Sequence, residues 1–594
     1  MTINDKLSAL RSLMTQNALD AYIVPSGDPH QSEYPAERWL SRQWISGFLG
    51  SMGYAVITHD HAGVWTDSRY FIQCEADLKG SEYQLHKQIV QGAPEHIDWL
   101  AQKLPKGSRI GCDGAMFAVA QIRSMQDKFG KAGIDLVTTV DLISPIWLQR
   151  PELLNNPIFE HDVIFTGRTR KQKLTAIRAK MKEHKADFHL VSTLDDIGWT
   201  LNLRGSDVES NPVFIAHMVI AKDKTYLFIN PSQMPDGIKN ALNQDDIFIK
   251  NYNTIDDFLT QLTDKQSIAI DTSNLNFQLF NSIKKAKILE TATFSSMMKA
   301  VKNKTEMNHL RTVMVKDGVA LLKAFRWLEQ TLAQREVSEY EMASMIAQFR
   351  SDQANYFGES FTAIVAYESN GAINHYHPSP HSSSMIKRQG ILLIDSGGQY
   401  FDGTTDITRT IALSEPTADQ KRNYTLVLKG HIGLAVLKFP TGTKGIQMDI
   451  LARMYLWQHG LNYGHGTGHG VGFFMNVHEP PQGFMTGLGA RGVTPHEVGM
   501  YTSNEPGFYQ DGGYGIRIEN LVLVVEAEKT DFGQFLKFDT ITLFPIDTRL
   551  IDISLLTRSE KAWFNAYHKR VNQKLSLYLN EEEKAWLADK CKRI

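Results

Sequence analysis

The chain has 594 residues, too many for one hydrophobic core, which points to three or four domains. Its formal net charge is −2, with 63 basic against 65 acidic side chains, so neither a nucleic-acid-binding surface nor an acidic tail is indicated. Apolar residues make up 42% and charged residues 22%, the balance of an ordinary soluble protein, and no run of about 18 apolar residues offers a membrane span.

Residues Met1 to Lys6 lack the basic-then-apolar pattern of a secretory signal. The three cysteines, Cys74, Cys112 and Cys591, are scattered and odd in number, which suits a reducing compartment. A cytoplasmic protein is the expectation. Residues 4–19 place Leu7, Leu10, Leu13 and Met14 at helical spacing. A strand at 21–24, a loop at 25–29 and a hairpin of strands at 54–58 and 63–66 follow. Asp67 is expected to cap a helix that opens there, with Arg69 as a structural ion-pair partner. Helix and strand alternate to about residue 150, the pattern of an α/β domain. Trp39, Trp44 and Trp65 are compatible with its core.

A second unit of similar plan starts near 170. A lysine-rich helix at 170–184, read as a solvated face, leads to a strand at 188–191, a helix start at 194–199, and strands at 213–216 and 225–229. The repeated order of helix, strand, helix and hairpin implies a diverged duplication. From about 298 the texture changes. A helical region covers 304–351, hairpins run from 361 to 412, and helices lie near 416–437 and 445–459. Glycine-rich loops, strands to about 546 and charged closing helices complete the chain. Nine of the 20 histidines fall between His375 and His496, and histidine is both the near-neutral titrating group and a frequent metal ligand.

The chemistry concentrates around residues 391–410. The apolar run Ile391-Leu392-Leu393-Ile394 ends at Asp395, and a carboxylate at the end of a buried strand is costly unless paired. Gly397-Gly398 and Asp402-Gly403 turn the chain, and a polar strand follows with Asp406 in it. Asp395 and Asp406 can thus lie side by side on antiparallel strands, where two close carboxylates would force one to take a proton unless a cation intervenes. His469 lies in Gly464-His465-Gly466-Thr467-Gly468-His469-Gly470, whose glycines let the backbone approach a ligand closely. Glu505 lies in Asn504-Glu505-Pro506-Gly507. Glu519 follows Arg517 by two residues, on the same face if the segment is extended. Four carboxylates and one imidazole can hold two divalent ions with their charges nearly cancelled. An oxygen-rich set favours Mn-like ions, and paired metals suit the hydrolysis of an amide or ester.

These strings resemble the pita-bread metallopeptidases, and within them the Xaa-Pro aminopeptidases: N-H-Y at 374–376, I-D-S-G at 394–397, D-G-T-T-D-I-T-R-T at 402–410, F-P-T-G-T-K-G at 439–445, H-G-T-G-H-G-V-G at 465–472, N-V-H-E at 476–479, N-E-P-G at 504–507 and G-I-R-I-E-N at 515–520. The likeness extends to P-S-G-D at 25–28, H-Q-S-E-Y at 30–34 and W-T-D-S-R-Y-F at 65–71. It implies a mixed α/β and α+β chain: two creatinase-like N-terminal α/β domains at 1–155 and 156–297, then a pita-bread catalytic domain at 298–594 with a C-terminal helical extension.

The resemblance also implies a function. The enzyme would remove the N-terminal residue from peptides whose second residue is proline, through attack of a metal-bridging hydroxide on the Xaa-Pro amide. Asp395 would hold one ion, Asp406 and Glu519 would bridge two, and His469 and Glu505 would hold the other. The ions would be Mn2+, with Zn2+ or Co2+ as substitutes. Glu505 would assist proton transfer, His375 and His478 would hydrogen-bond the substrate carbonyl and the oxyanion, His465 would face the proline side, and Arg517 would orient a carboxylate. A homodimer is implied, with no nucleic-acid or membrane partner. The rivals are a prolidase cleaving Xaa-Pro dipeptides, which would share all five ligands, and a non-catalytic pita-bread binding module, which would be expected to have lost them. His377 and His381, beside prolines, read as loop surface rather than ligands.

Overall fold

A computed structural model describes residues 1–89 and 93–594. The chain forms two compact units, Met1–His161 with Arg168–Ser295, and Asp162–Gly167 with Ser296–Ile594.

The first unit holds two six-stranded sheets. One has the spatial order Gln84–Lys87, Ala62–Thr66, Tyr54–Thr58, Ala21–Pro25, Arg109–Cys112, Asp135–Val137. The other has the order Ile247–Asn251, Thr225–Ile229, Ala216–Ala221, Phe188–Val191, Ser267–Ile270, Lys287–Glu290. Both sheets read fourth, third, second, first, fifth, sixth in chain order. In both, the first three strands pair antiparallel and the remaining pairs are parallel. The repeat read from the order of elements thus recurs as a repeat of strand order and direction.

Several local expectations need correction. The helix after Thr66 begins at Phe71, not at Asp67. Asp67 instead takes the Arg69 guanidinium at 2.8 Å together with the Arg69 backbone N–H, so a two-residue Asp–Arg clasp replaces the cap. Residues 213–215 form no strand, because Asp207 Oδ2 accepts the Ile215 N–H at 2.9 Å and the Asp207 N–H goes to the Val213 carbonyl, holding this stretch to its own preceding loop. The basic helix Arg170–Glu183 is not wholly solvated. Lys173 is buried, and its ammonium donates to the Trp199 carbonyl (2.8 Å) and to Asn202 Oδ1 (2.6 Å). Trp39 and Trp65 are buried, as a core role requires.

In the second unit, Asn303 and Glu306 form a capping box that starts the long helix Lys304–Leu332. The expected helical region to 351 is divided. Val337–Ser338 pairs with Met385–Ile386 as a short strand, and the Ser338 hydroxyl then caps the separate helix Glu339–Ser351. A three-stranded sheet orders Ile364–Tyr367, Ile391–Ser396 and Ile407–Ala412. A six-stranded sheet includes Gly468–Gly470, Tyr501–Asn504 and Asn520–Thr530. The helices Ala418–Ala435 and Ile450–Trp457 touch closely enough that a Cβ on Gly430 would lie 2.1 Å from the Ala452 carbonyl oxygen. Leu310, Phe325, Ile394, Tyr501, Leu521 and Phe564 belong to one continuous core that fixes both sheets and the closing helix Arg558–Leu575.

Candidate metal centre

Register places the first two carboxylates. Asp395 pairs with Thr408 across the antiparallel strands Ile391–Ser396 and Ile407–Ala412. Asp406 lies just before the second strand, near enough to Asp395 that the two carboxyls repel. The turn between the strands is tight. A Cβ on Gly397 would lie 2.0 Å from the Thr405 carbonyl oxygen, so only glycine fits there.

The six-stranded sheet supplies the imidazole. His469 sits in the strand Gly468–Gly470, and a Cβ on its neighbour Gly468 would come 1.9 Å from the Ser503 carbonyl oxygen. Nδ1 of His469 lies 2.9 Å from the Gly470 carbonyl, which can only accept, so the ring proton resides there and Nε2 presents its lone pair. That Nε2 is 3.4 Å from Asp406 Oδ2 and 3.3 Å from Glu505 Oε1. Ser503 links the pair, receiving the His469 N–H (3.0 Å) and donating to Glu505 Oε1 (3.1 Å).

Glu519 lies between two strands, just after Tyr514–Arg517 and just before Asn520–Thr530. Thr408 donates to its Oε2 at 2.9 Å and also accepts from Arg517 Nε at 3.0 Å. Arg409 braces the backbone from the other side, donating to the carbonyls of Glu519 (2.6 Å) and Thr408 (2.9 Å) and to Asn520 Oδ1 (2.8 Å). Ligand atoms of Asp406, His469 and Glu519 all lie within 4.8 Å of one another.

The electrostatics fit a cation-binding cluster. Burial, then repulsion from Asp395, raises the Asp406 carboxyl well above its ordinary value. Burial and Asp406 do the same to Glu519. Burial also raises Glu505, with Asp406 adding to it and His469 opposing it. Burial, then the neighbouring His478, lowers His469 to about 4, leaving it neutral near pH 7 and able to ligate. Asp395 Oδ1 is buried with no hydrogen-bond partner, an expensive state for a carboxylate that a cation would relieve. The donor set of carboxylate oxygens and one imidazole nitrogen suits hard to intermediate divalent ions.

The other expected residues surround this cluster in different ways. The His478 ring meets the His469 ring edge-on at 4.2 Å between centroids. His465 Nε2 is 2.8 Å from the Tyr509 hydroxyl, which accepts from Arg517 Nη1 at 2.7 Å. Arg517 Nη2 reaches Asp395 Oδ2 at 2.6 Å. His375 is half-buried on an irregular stretch after the short helix Glu368–Ala372. His377 and His381 are exposed. Sequence reasoning passed over Thr408, Arg409 and Tyr509. For the first two a signal existed, since Thr408 follows Asp406 by two residues in one polar run and Arg409 is a cation inside a buried strand. Tyr509 gave none, because its link to His465 spans 44 residues.

Comparison with known proteins agrees along the whole chain. Residues 6–148 and 149–306 match creatinase/prolidase N-terminal domains, 308–526 match metallopeptidase family M24, and 534–594 match the C-terminal region of M24 peptidases. A probable Xaa-Pro aminopeptidase P of Coprinopsis cinerea is 40% identical over 98% of this chain and 97% of its own. Xaa-Pro aminopeptidase 1 of Dictyostelium discoideum is 39% identical over 100% and 97%. The crystal structure of an X-prolyl aminopeptidase from Caenorhabditis elegans, described as a cytosolic enzyme with a di-nuclear active site, superposes with a TM-score of 0.95 at 34% identity, covering 100% of both chains.

Proposed function

The chain belongs to metallopeptidase family M24 and is a hydrolase of the Xaa-Pro aminopeptidase kind, and from that premise we propose which of its residues carry the reaction. The reaction removes the N-terminal residue from peptides whose second residue is proline. The observation that carries the residue assignment is the convergence of Asp406, His469 and Glu519, with ligand atoms within 4.8 Å, beside Asp395 and Glu505.

Asp395 would hold one divalent ion, Asp406 and Glu519 would be shared by both, and His469 and Glu505 would hold the second. The ions, when bound, supply an ionised water as nucleophile near neutral pH and polarise the scissile carbonyl. Glu505 accepts a proton from the attacking water and passes it to the proline nitrogen as the C–N bond breaks. His478 and His375 donate to the carbonyl oxygen as negative charge develops on it. His465, steered by Tyr509, faces the proline side. Arg517 orients a carboxylate, and its 2.6 Å contact favours Asp395, a carboxylate of the site itself. The oxygen-rich donors favour Mn2+, with Zn2+ or Co2+ as substitutes.

We extend the same reading to a homodimer in the cytoplasm, with N-terminal domains 1–155 and 156–297 followed in the sequence by catalytic domain 298–594. The description of the nematode neighbour as cytosolic supports the location. No helix among the described residues is long and apolar enough to cross a membrane. A comparison of the dipeptide Arg-Pro with the tripeptide Arg-Pro-Pro tests the substrate class. Release of arginine from the tripeptide is expected, and cleavage of the dipeptide alone would make the enzyme a prolidase.

A further inference from the structure

Glu339 opens the helix Glu339–Ser351 and is fully buried. No Lys, Arg or His among the described residues pairs with it. Its charge is met instead by four hydrogen-bond donors. Oε1 accepts from the Tyr367 N–H (2.7 Å) and Asn370 Nδ2 (2.9 Å), and Oε2 accepts from the Tyr376 hydroxyl (2.8 Å) and the Ser384 N–H (2.7 Å). These contacts account for all four acceptor positions of a carboxylate. The Glu339 N–H in turn donates to the Ser384 carbonyl at 3.1 Å, and Asn370 Nδ2 also reaches Ser384 Oγ at 3.0 Å.

All four donors lie on one stretch, residues 367–384. From 373 to 384 that stretch has neither helix nor strand, so its own backbone does little to hold it. His375 rides on it, one residue before Tyr376. On the upstream side the stretch is pressed against the strand that carries Arg517, where a Cβ on Gly515 would fall 1.7 Å from the Gly371 carbonyl oxygen. Burial and the Glu339 carboxylate push the Tyr376 phenol well above its ordinary value, which keeps it a donor. A buried charge satisfied wholly by neutral donors is a poor source of net stability, but it selects one arrangement of those donors.

We propose that Glu339 is a positioning residue for His375, its carboxylate fixing the irregular 367–384 stretch so that the imidazole meets the substrate carbonyl. The proposal rests on the assignment of His375 to carbonyl binding. Misplacement of a reacting group by about 1 Å costs on the order of 100-fold. Glu339→Gln keeps the shape but turns one acceptor into a donor facing other donors, and Tyr376→Phe removes a single contact.

The test is a double-mutant cycle on the Mn2+-loaded enzyme with Arg-Pro-Pro peptide, using Glu339→Gln, Tyr376→Phe and His375→Ala. The expected result is a kcat lowered by about 10- to 100-fold in Glu339→Gln, with KM changed less, Mn2+ content kept, and a smaller loss of the same kind in Tyr376→Phe. In the His375→Ala background the Glu339 and Tyr376 changes should add less than about threefold, because they act through a group already gone. An equal loss in both backgrounds would overturn the positioning role while leaving the His375 assignment standing. Undiminished turnover in His375→Ala alone would overturn the assignment of His375 itself, and the role of Glu339 with it.

Discussion

Arg517 Nη2 donates to Asp395 Oδ2 across 2.6 Å, while Nη1 of the same guanidinium donates to the Tyr509 hydroxyl across 2.7 Å. One buried cation thus couples a carboxylate of the acidic cluster to the hydroxyl that reaches His465. Asp395 depends on this pairing, since its other oxygen is buried without a partner.

Arg517→Gln is therefore expected to lower both turnover and stability. Removing one member of a buried ion pair costs about 3–5 kcal/mol, because the other charge is left uncompensated. A divalent cation bound at Asp395 would restore part of that compensation. Thermal melts should show a larger loss in chelated Arg517→Gln than in the Mn2+-loaded variant, each against the parent in the same state. Equal losses in both states would mean that Asp395 faces no metal.

Asp406→Asn keeps the volume of the side chain and removes its charge. Fewer Mn2+ ions retained at equilibrium dialysis and no measurable Xaa-Pro cleavage are the expected outcome. Normal turnover with the parent metal content would remove Asp406 from the bridging role.

His478→Ala should separate binding of metal from catalysis. Loss of one donor to a developing oxyanion lowers kcat by roughly 10²–10³. Metal content should stay at the parent level, since the ligand atoms that converge within 4.8 Å are those of Asp406, His469 and Glu519. Loss of metal in this variant would place His478 among the ligands.

Much of the site is legible in the chain because its parts are local. The turn from Asp395 to Asp406, the glycines around His469 and the two-residue step from Arg517 to Glu519 each carry their geometry in a few adjacent residues. The duplicated N-terminal plan was legible for a similar reason, since helix, strand and hairpin recur in one order. What escaped is long-range. The chain from His465 through Tyr509 and Arg517 to Asp395 joins four separated segments, and the four donors that satisfy Glu339 come from a stretch of irregular backbone. Polar side chains also overrode local pattern. Asp207 captured the Ile215 N–H from an apolar run that reads as strand, and Arg69 captured Asp67 before it could cap a helix.

Acid should weaken the first unit through His189. This histidine is fully buried, and its ring is neutral in the fold: Nδ1 donates to the Ala269 carbonyl (3.2 Å) while Nε2 accepts the Phe294 N–H. Burial lowers it to about 4, against an ordinary value near 6.5. The unfolded chain therefore binds this proton first as pH falls, so stability drops between about pH 6.5 and 4 and is constant above that window for this group. Glutamine can offer one donor and one acceptor without titrating. His189→Gln should flatten the pH dependence of the urea midpoint by up to about one proton over that window. An unchanged slope would show that His189 does not titrate with unfolding.

Metal-dependent removal of the residue before proline is tested by assaying the fully chelated protein on an Arg-Pro-Pro peptide, before and after Mn2+ is restored, with the products identified by mass. The expected result is no cleavage without metal, and release of the single N-terminal arginine, with Pro-Pro left intact, once Mn2+ is added. Undiminished cleavage by the chelated protein, or no cleavage of any Xaa-Pro peptide while metal stays unbound at equilibrium, would contradict it.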